Sequence, residues 1–249
     1  MNARFYVPTA RTPGHTVTLP EAEAQHLTRV LRLKAGDPVR VFNGRGLEFH
    51  AVIESASKRA VTVRIHDPCA AAPEPRVAVT LAQAVLKGDS MDEVVRDAVM
   101  MGVAAIQPLV SARAETTLGA VRRGRRRERW ERIAVASAKQ CGRAVVPVVL
   151  EPRPFDELPG AVAARELPGP AFMLVEPAAS LEAARLGDLE AAAPQEATVI
   201  VGPEGGWTPE EVSRASTACG LVTLGGRTLR ADAAALVALA ALFQRWGEF

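Results

Sequence analysis

The chain has 249 residues, 48% of them hydrophobic, and carries 30 Lys and Arg against 28 Asp and Glu. It is long enough to bury a core in one large or two smaller domains, and its net charge of +2 does not by itself indicate a nucleic-acid partner. The three cysteines are odd in number and far apart, with no Cys/His pair at metal spacing, so neither a disulfide framework nor a metal site is expected. The first residues lack the apolar region of a secretion signal, and the longest apolar run, 233–243, is too short to span a bilayer. We therefore expect a cytoplasmic protein with no membrane segment and no metal.

Residues 1–72 are predicted to form a small β-barrel with a basic surface. Val39 and Val41 alternate with a polar residue, as do the apolar residues of 61–65, which is the period of half-buried strands. Asn43-Gly44 indicates a turn between two strands. The segment carries ten Lys and Arg against six Asp and Glu. The predicted strands are 4–7, 16–19, 38–43, 46–55 and 60–66, with one helix at 21–31.

Residues 73–249 are predicted to form an α/β domain after a Pro/Ala linker at 68–76. Strand-like and helix-like stretches alternate, which is typical of a mostly parallel sheet. The predicted strands are 77–86, 104–110, 145–150, 171–176, 198–201 and 221–224. The predicted helices are 90–101, 123–141, 180–191, 208–218 and 232–246. Ser90 with Glu93, and Thr208 with Glu211, have the spacing of capping boxes at two helix starts.

A glycine-rich motif, GPEGG, follows the predicted strand 198–201. Glycines at the carboxyl end of a strand let the backbone approach a ligand closely, and ligands of α/β sheets bind at that end. A tight turn with an incidental Glu204 explains the pattern equally well. The motif matches neither a dinucleotide fingerprint nor a phosphate-binding loop.

A second glycine-rich strand end, LGGRTLRAD, occupies residues 224–232. Taken alone, Arg227 and Arg230 fit a solvated loop slightly better than a site, and Asp232 is placed to cap the next helix. Two such strand ends in tandem, however, favour the interpretation that they form two walls of one pocket.

A run of arginines, 122–132, precedes the segment AKQCGR at 138–143. The run could contact phosphates. A solvated helix face with Arg–Glu pairs is the more usual explanation, and Glu128 and Glu131 support it.

Five segments resemble the RsmE family of bacterial ribosomal RNA methyltransferases, and they occur in the family's order over essentially the whole chain. They are HLTRVLRLKAGDPVRVFNG (26–44), KGDSMDEVVRDAVMMGV (87–103), AKQCGR (138–143), GPEGGW (202–207) and LGGRTLR (224–230). The resemblance implies a PUA-like RNA-binding barrel at 1–72 and a SPOUT-class methyltransferase domain at 73–249 with a C-terminal trefoil knot. It also implies a homodimer that uses S-adenosyl-L-methionine to methylate N3 of a uridine in small-subunit (16S) ribosomal RNA, as free RNA or within the 30S subunit.

The resemblance further implies a cofactor site and catalytic arginines. Arg143 and Arg230 are expected to stabilise negative charge on the uracil oxygens, with Arg4 as a further contributor. The general base stays open between Glu204, Asp232 and a water molecule. A bulky residue at Gly205 is expected to fill the ligand's space. The implied cofactor-binding residues are Val175, Glu176, Pro177, Gly202, Pro203, Glu204, Gly205, Gly206, Leu224, Gly225, Leu229 and Arg230.

One departure and two alternatives accompany the resemblance. Asp232-Ala233 stands where the family usually has Glu-Thr, which shortens a carboxylate and removes a hydroxyl. The alternatives are a SPOUT enzyme acting on another RNA, such as transfer RNA, and a non-catalytic RNA-binding adaptor. The intact glycines of 202–206 argue against the adaptor, because a dead enzyme does not need close backbone approach to a cofactor.

Overall fold

The computed structural model describes residues 3–57, 60–177, 183–190 and 192–248. The chain divides into two compact units, one made of Met1–Glu74 with Val135–Val146 and the other of Pro75–Ala134 with Pro147–Phe249. The segment 135–146 therefore groups with the N-terminal unit, which the predicted division at residue 72 does not include. In the described part of the chain, no helix combines the length and the apolar character needed to cross a membrane.

The N-terminal unit contains a curled five-stranded sheet in the order β1-β3-β4-β5-β2. All strand pairs are antiparallel except β1 with β3. The predicted alternation is confirmed, since Val39 and Val41 are fully buried in the barrel core. The strands are β1 (Arg4–Tyr6), β2 (Thr16–Thr18), β3 (Pro38–Phe42), β4 (Glu48–Ala56) and β5 (Val61–Pro68).

The predicted helix at 21–31 exists but changes character halfway. Helix α1 covers Glu21–Gln25, and the chain then widens into a π-helical turn at His26–Val30. Leu27 is fully buried and anchors the turn, whereas Val30 is 65% exposed. The turn therefore presents both apolar and charged side chains to solvent.

The C-terminal unit contains an eight-stranded sheet, all of whose pairs are parallel. The order is β11-β13-β10-β12-β6-β7-β8, and β9 pairs with β7. The strands are β6 (Ala78–Ala84), β7 (Ala105–Val110), β8 (Val148–Val149), β9 (Arg153–Pro154), β10 (Ala171–Leu174), β11 (Ala184–Arg185), β12 (Glu196–Val201) and β13 (Gly220–Thr223). The remaining helices are α2 (Ser90–Met101), α3 (Leu118–Arg123), α4 (Arg126–Cys141), α5 (Leu158–Ala163), α6 (Pro209–Ala215) and α7 (Ala231–Arg245).

Three predicted elements differ from the structure. The helix expected at 123–141 is interrupted, because the chain turns at Gly124 and at Arg125, whose φ is +49°. The helix expected at 180–191 falls partly on residues outside the described ranges. Its residues 183–190 instead form strand β11 and a 3₁₀ turn, since pairing with β13 fixes the chain in an extended form. The strand expected at 145–150 is reduced to β8, because Val145 bridges to Gly44 instead.

Candidate functional site

A cleft opens at the carboxyl ends of β10, β12 and β13. These strands are neighbours and run parallel, so the loops that follow them meet at one edge of the sheet. We call this the strand-end cleft. Its lining residues are Leu86, Ser90, Leu174, Val175, Glu176, Pro177, Val201, Gly202, Pro203, Glu204, Gly206, Trp207, Leu224, Arg227, Thr228, Leu229, Arg230, Ala231, Asp232 and Ala234.

The structure brings nearly all of the expected cofactor-binding residues together in this lining. The exceptions are Gly205 and Gly225, which do not line it. The role of Gly205 stays a prediction, and the structure adds that a Cβ at this position would lie 3.2 Å from the Cβ of Arg113. A bulky residue at Gly205 would therefore push against Arg113.

Three side-chain hydrogen bonds connect the GPEGG loop, residues 202–206, and the tryptophan after it to neighbouring strands. Gln83, buried on β6, donates from Nε2 to the Gly202 carbonyl (3.2 Å). Arg113, after β7, donates to the Gly205 carbonyl (3.0 Å). Trp207 donates from its indole nitrogen to the Leu174 carbonyl at the end of β10 (2.8 Å). These hydrogen bonds tie the loop and its flank to β6, to the segment after β7 and to the end of β10.

Gly206 makes room for an acidic side chain at the cleft. Its φ is +67°, a left-handed conformation in which glycine carries no steric penalty. A Cβ at this position would lie 2.9 Å from Oε1 of Glu176, which follows β10. The glycine therefore lets the Glu176 carboxylate rest against the GPEGG loop.

Arg230 and Asp232 form an ion pair at the cleft. The guanidinium donates to both carboxylate oxygens, at 3.2 and 2.8 Å, while the Arg230 side chain is 81% exposed. The hydrogen bond to Asp232 raises the pKa of the Arg230 guanidinium, and the same bond lowers the pKa of the Asp232 carboxyl. Asp232 is consequently a weak proton acceptor.

Glu204, the acidic residue of the GPEGG loop, is oriented by the chain that follows β6. Its Oε1 accepts a hydrogen bond from the Lys87 backbone N–H at 3.0 Å. The Lys87 ammonium forms a hydrogen-bonded ion pair with Glu115, and the hydrogen bond raises the pKa of Lys87. Lys87 is therefore held as a cation close to the Glu204 carboxylate.

The helix starts at the cleft differ from two of the three predictions. The capping box of Thr208 and Glu211 is confirmed, with both hydrogen bonds present. Asp89, not Ser90, precedes α2, and no side chain caps it, so the expected box at Ser90 is wrong. Asp232 does not cap α7 either, because the helix already begins at Ala231 and the carboxylate is engaged by Arg230.

Arg143 and Arg4 lie within the N-terminal unit. The Arg143 side chain is 4% exposed and donates to the Glu74 carboxylate. Arg4 binds Glu48 through two hydrogen bonds and donates to three backbone carbonyls of residues 138–143. Arg4 thus fixes the end of α4 by structural contacts, and a catalytic role for Arg143 stays a prediction.

Three of the seven arginines of the run are engaged by acids of the same unit. Arg125 pairs with Glu128, Arg127 with Glu131 and Glu151, and Arg129 with Asp89 and Asp92. For these three arginines, the ion pairs support the solvated-helix explanation over phosphate binding.

Several lining residues lie outside the sequence expectations. Leu86 is the last residue of the predicted strand 77–86. The pairing of β6 with β12 places it at the cleft, and that pairing cannot be read from the sequence. Trp207 and Ala234 follow the two glycine-rich strand ends directly, so their place in the chain could indicate them. For Arg227 the sequence alone slightly favours a loop residue.

Comparison with known proteins places this geometry in a family. A family model described as an RNA methyltransferase domain matches residues 73–243, and a second, described as an RNA methyltransferase PUA domain, matches residues 19–65. The ribosomal RNA small subunit methyltransferase E of Synechocystis is 35% identical over 229 residues, covering 90% of this chain and 72% of the relative. The enzyme of the same name from Bacillus subtilis is 27% identical, covering 91% and 89%.

A solved structure agrees in fold and in length. The ribosomal RNA small subunit methyltransferase E of Neisseria gonorrhoeae, crystallised with S-adenosylmethionine, superimposes with a TM-score of 0.86 at 32% identity. The match covers 99% of this chain and 98% of the other. The chain therefore belongs to the RNA methyltransferase family, among the relatives of ribosomal RNA small subunit methyltransferase E.

Proposed function

We propose that the protein transfers the methyl group of S-adenosyl-L-methionine to N3 of a uridine in small-subunit (16S) ribosomal RNA. One observation carries the proposal: three neighbouring strand-end loops, including the GPEGG loop, form a single cleft in a chain of this family. The Neisseria relative, which carries S-adenosylmethionine, supports the cofactor, and the names of the relatives support the RNA substrate. The preference for uridine N3 comes from the RsmE resemblance.

The residues of the strand-end cleft fit this cofactor. Leu86, Val201, Leu224 and Leu229 offer aliphatic walls for the adenine ring. Backbone groups of the glycine-rich loop can reach the ring edge, since no side chain intervenes at Gly202 or Gly206. Charged side chains in the same lining match the polar amino-acid end.

The chain's own groups supply orientation and electrostatics. The bound cofactor provides the electrophilic methyl group. Uridine N3 must lose its proton, and the resulting negative charge spreads to the uracil oxygens. Arg230 stabilises that charge, because its planar guanidinium stays protonated and presents several donors. Arg143, whose Nε and Nη2 donate to Glu74, is proposed as the second catalytic arginine that the resemblance implies.

The two acidic candidates for the proton acceptor differ in their hydrogen bonds. Asp232 is disfavoured, since its hydrogen bond with Arg230 lowers the pKa of its carboxyl. Glu204 lines the same cleft and keeps one oxygen outside the hydrogen bond from Lys87. We propose Glu204, directly or through a water molecule, as the group that takes the N3 proton.

The RNA is proposed to bind through the N-terminal unit. The RNA methyltransferase PUA model matches residues 19–65 there, and the π-helical turn and its flank present Arg29, Arg32 and Lys34 to solvent. The proposed partner is 16S ribosomal RNA, free or within the 30S subunit, and the proposed location is therefore the cytoplasm.

We further propose a homodimer and a C-terminal trefoil knot. Helix α7 packs against α2, yet Met100, Leu236 and Val237 on these helices remain 37–42% exposed. Such apolar surface suits a subunit interface. Sedimentation velocity should give twice the mass of one chain, and a monomer at micromolar concentration would contradict the dimer.

The knot has a separate basis. Strand β13 follows β12 in the chain but lies between β10 and β11, which is compatible with a knot. Tracing residues 170–249 in an experimental density map tests the knot.

The experiment on the cofactor uses two neighbouring alanines of α7. Ala234 lines the strand-end cleft, whereas Ala233 is exposed and outside the lining. S-adenosylhomocysteine at about 100 times its Kd should stabilise the wild type by about 2.7 kcal/mol, a rise in Tm of several degrees. Ala233→Trp should keep that rise. Ala234→Trp should lose it, because the indole fills the cleft.

The same variants test the RNA target in cells that lack the protein. Wild type and Ala233→Trp should restore one N3-methylated uridine to 16S ribosomal RNA, mapped as a reverse-transcription stop, and Ala234→Trp should not. Restoration of a methyl group on transfer RNA alone would contradict the substrate. Absence of a thermal shift in the wild type would contradict the cofactor.

A further inference from the structure

The charged side chains of the strand-end cleft fall into two groups. Arg230 and Asp232 neutralise each other, and Glu204 accepts from the Lys87 backbone. Glu176 and Arg227 also line the cleft. Among the residues that the structure describes, neither of these two side chains has a hydrogen bond or an ion pair. One unengaged anion and one unengaged cation therefore face a site that is otherwise largely apolar.

These two residues sit on neighbouring loops. Glu176 follows β10 and Arg227 follows β13, and the two strands pair in parallel, with the Val175 N–H donating to the Val222 carbonyl at 2.9 Å. The carboxylate of Glu176 is further fixed in position, since it occupies the space left by the missing side chain of Gly206. Opposite charges are thus presented from adjacent walls of one cleft.

We propose that Arg227 binds the α-carboxylate and Glu176 the α-ammonium group of the cofactor's methionine end. The inference rests on the proposed function, whose cofactor carries this zwitterion beside an uncharged adenosine. A guanidinium matches a carboxylate through two parallel hydrogen bonds, and a carboxylate accepts hydrogen bonds from an ammonium group. The Nε and Nη2 atoms of Arg230 already donate to Asp232, which leaves no second free fork for a carboxylate. Among the residues that the structure describes, Arg227 has no such partner.

The assignment also gives the orientation of the cofactor in the cleft. With the charged end held between the 175–177 and 224–230 loops, the adenosine is left to the aliphatic walls and the glycine backbone. Arg230, three residues after Arg227, then keeps the donors that Asp232 does not use for the uracil. Arg227 and Glu176 act in binding and orientation, and Arg230 acts in the reaction.

The test compares two ligands that differ only at the amino-acid end. S-adenosylhomocysteine carries the zwitterion, and 5′-methylthioadenosine has the same nucleoside and thioether without it. Calorimetry should show that Arg227→Gln and Glu176→Gln each weaken S-adenosylhomocysteine by roughly ten-fold or more, as expected when hydrogen bonds to charged groups are removed. Binding of 5′-methylthioadenosine should stay within about two-fold of the wild type.

Controls on the protein and on the ligand make the result specific. Arg214→Gln removes an exposed arginine that pairs with Asp156 and does not line the cleft, so it should leave both affinities unchanged. Decarboxylated S-adenosylhomocysteine should bind the wild type and Arg227→Gln equally, since the carboxylate is already absent. This last comparison forms a double-mutant cycle between residue and ligand.

Two outcomes would overturn the inference. If Arg227→Gln weakens both ligands alike, the arginine supports the loop or the nucleoside rather than the carboxylate. If Glu176→Gln weakens 5′-methylthioadenosine as well, the glutamate binds the ribose. Wild-type protein that binds neither ligand would instead remove the proposed function, and the inference with it.

Discussion

At the scale of single residues, the Arg230–Asp232 pair determines what each partner can do. The two residues are close in the chain, and the aspartate reaches back to the guanidinium with both oxygens. The pair holds the fork of Arg230 in one orientation, which favours directed hydrogen bonding to a planar base. It also holds Asp232 as an anion of low basicity. The same ion pair that prepares the arginine therefore removes the aspartate from proton transfer.

Replacement of Arg230 by lysine should not be conservative. Lysine keeps the charge but lacks the planar fork, and removal of one preorganised donor costs about 10²-fold or more in rate. The decrease should appear in methyl transfer under single-turnover conditions with RNA and labelled cofactor. Affinities for RNA and for S-adenosylhomocysteine should stay close to those of the wild type.

A matched substitution separates orientation from charge. Asp232→Asn keeps the shape of the partner but weakens its hold on the guanidinium, so transfer should fall less than in Arg230→Lys. Methyl transfer by Arg230→Lys at the parental rate would reduce Arg230 to a loop residue, and Arg143 would become the leading candidate.

At the scale of elements, the two glycine-rich strand ends could be predicted from the sequence as walls of one pocket. Their glycines and the capped helix start at Thr208 are local signals, and the structure confirms that these loops share one cleft. The hydrogen bonds that hold the GPEGG loop were not predictable in this way. Gln83 and Arg113 reach it from β6 and from the loop after β7, and only the order of strands in the sheet brings them there.

One mispredicted stretch depends on a distant partner, and other elements are too short to predict. The alanine-rich stretch around 183–190 has helical propensity, yet pairing with β13 makes part of it an edge strand. The short helices α3 and α5 have too few turns for a clear periodicity. Strongly patterned elements, such as α2 and the barrel strands, were predicted close to their observed bounds because their own residues bury one face.

At the scale of the whole molecule, the net charge of +2 conceals two different distributions. Three arginines of 122–132, namely Arg125, Arg127 and Arg129, pair with acids of their own unit. The cations of the N-terminal unit near the π-helical turn differ. Among the residues that the structure describes, the side chains of Arg29, Arg32 and Lys34 have no ion pair, and they border one groove with Thr28 and Ser57. An unneutralised cation releases counterions on binding phosphate, whereas a paired one must first give up its partner.

The last prediction follows from that difference. Replacing Arg29, Arg32 and Lys34 together by glutamine should weaken binding to 16S ribosomal RNA and flatten its dependence on salt, by about 0.7 in log–log slope for each single-strand phosphate that is no longer neutralised. The matched variant Arg125→Gln with Arg127→Gln changes two charges on the arginine run and should alter the slope little, because both side chains are already engaged by acids. Fluorescence anisotropy at several salt concentrations gives both slopes, and calorimetry with S-adenosylhomocysteine should show unchanged cofactor affinity in either variant. Equal slopes for the two variants would mean that ion pairing does not separate the RNA-binding cations from the structural ones, and the groove beside the π-helical turn would no longer qualify as the RNA surface.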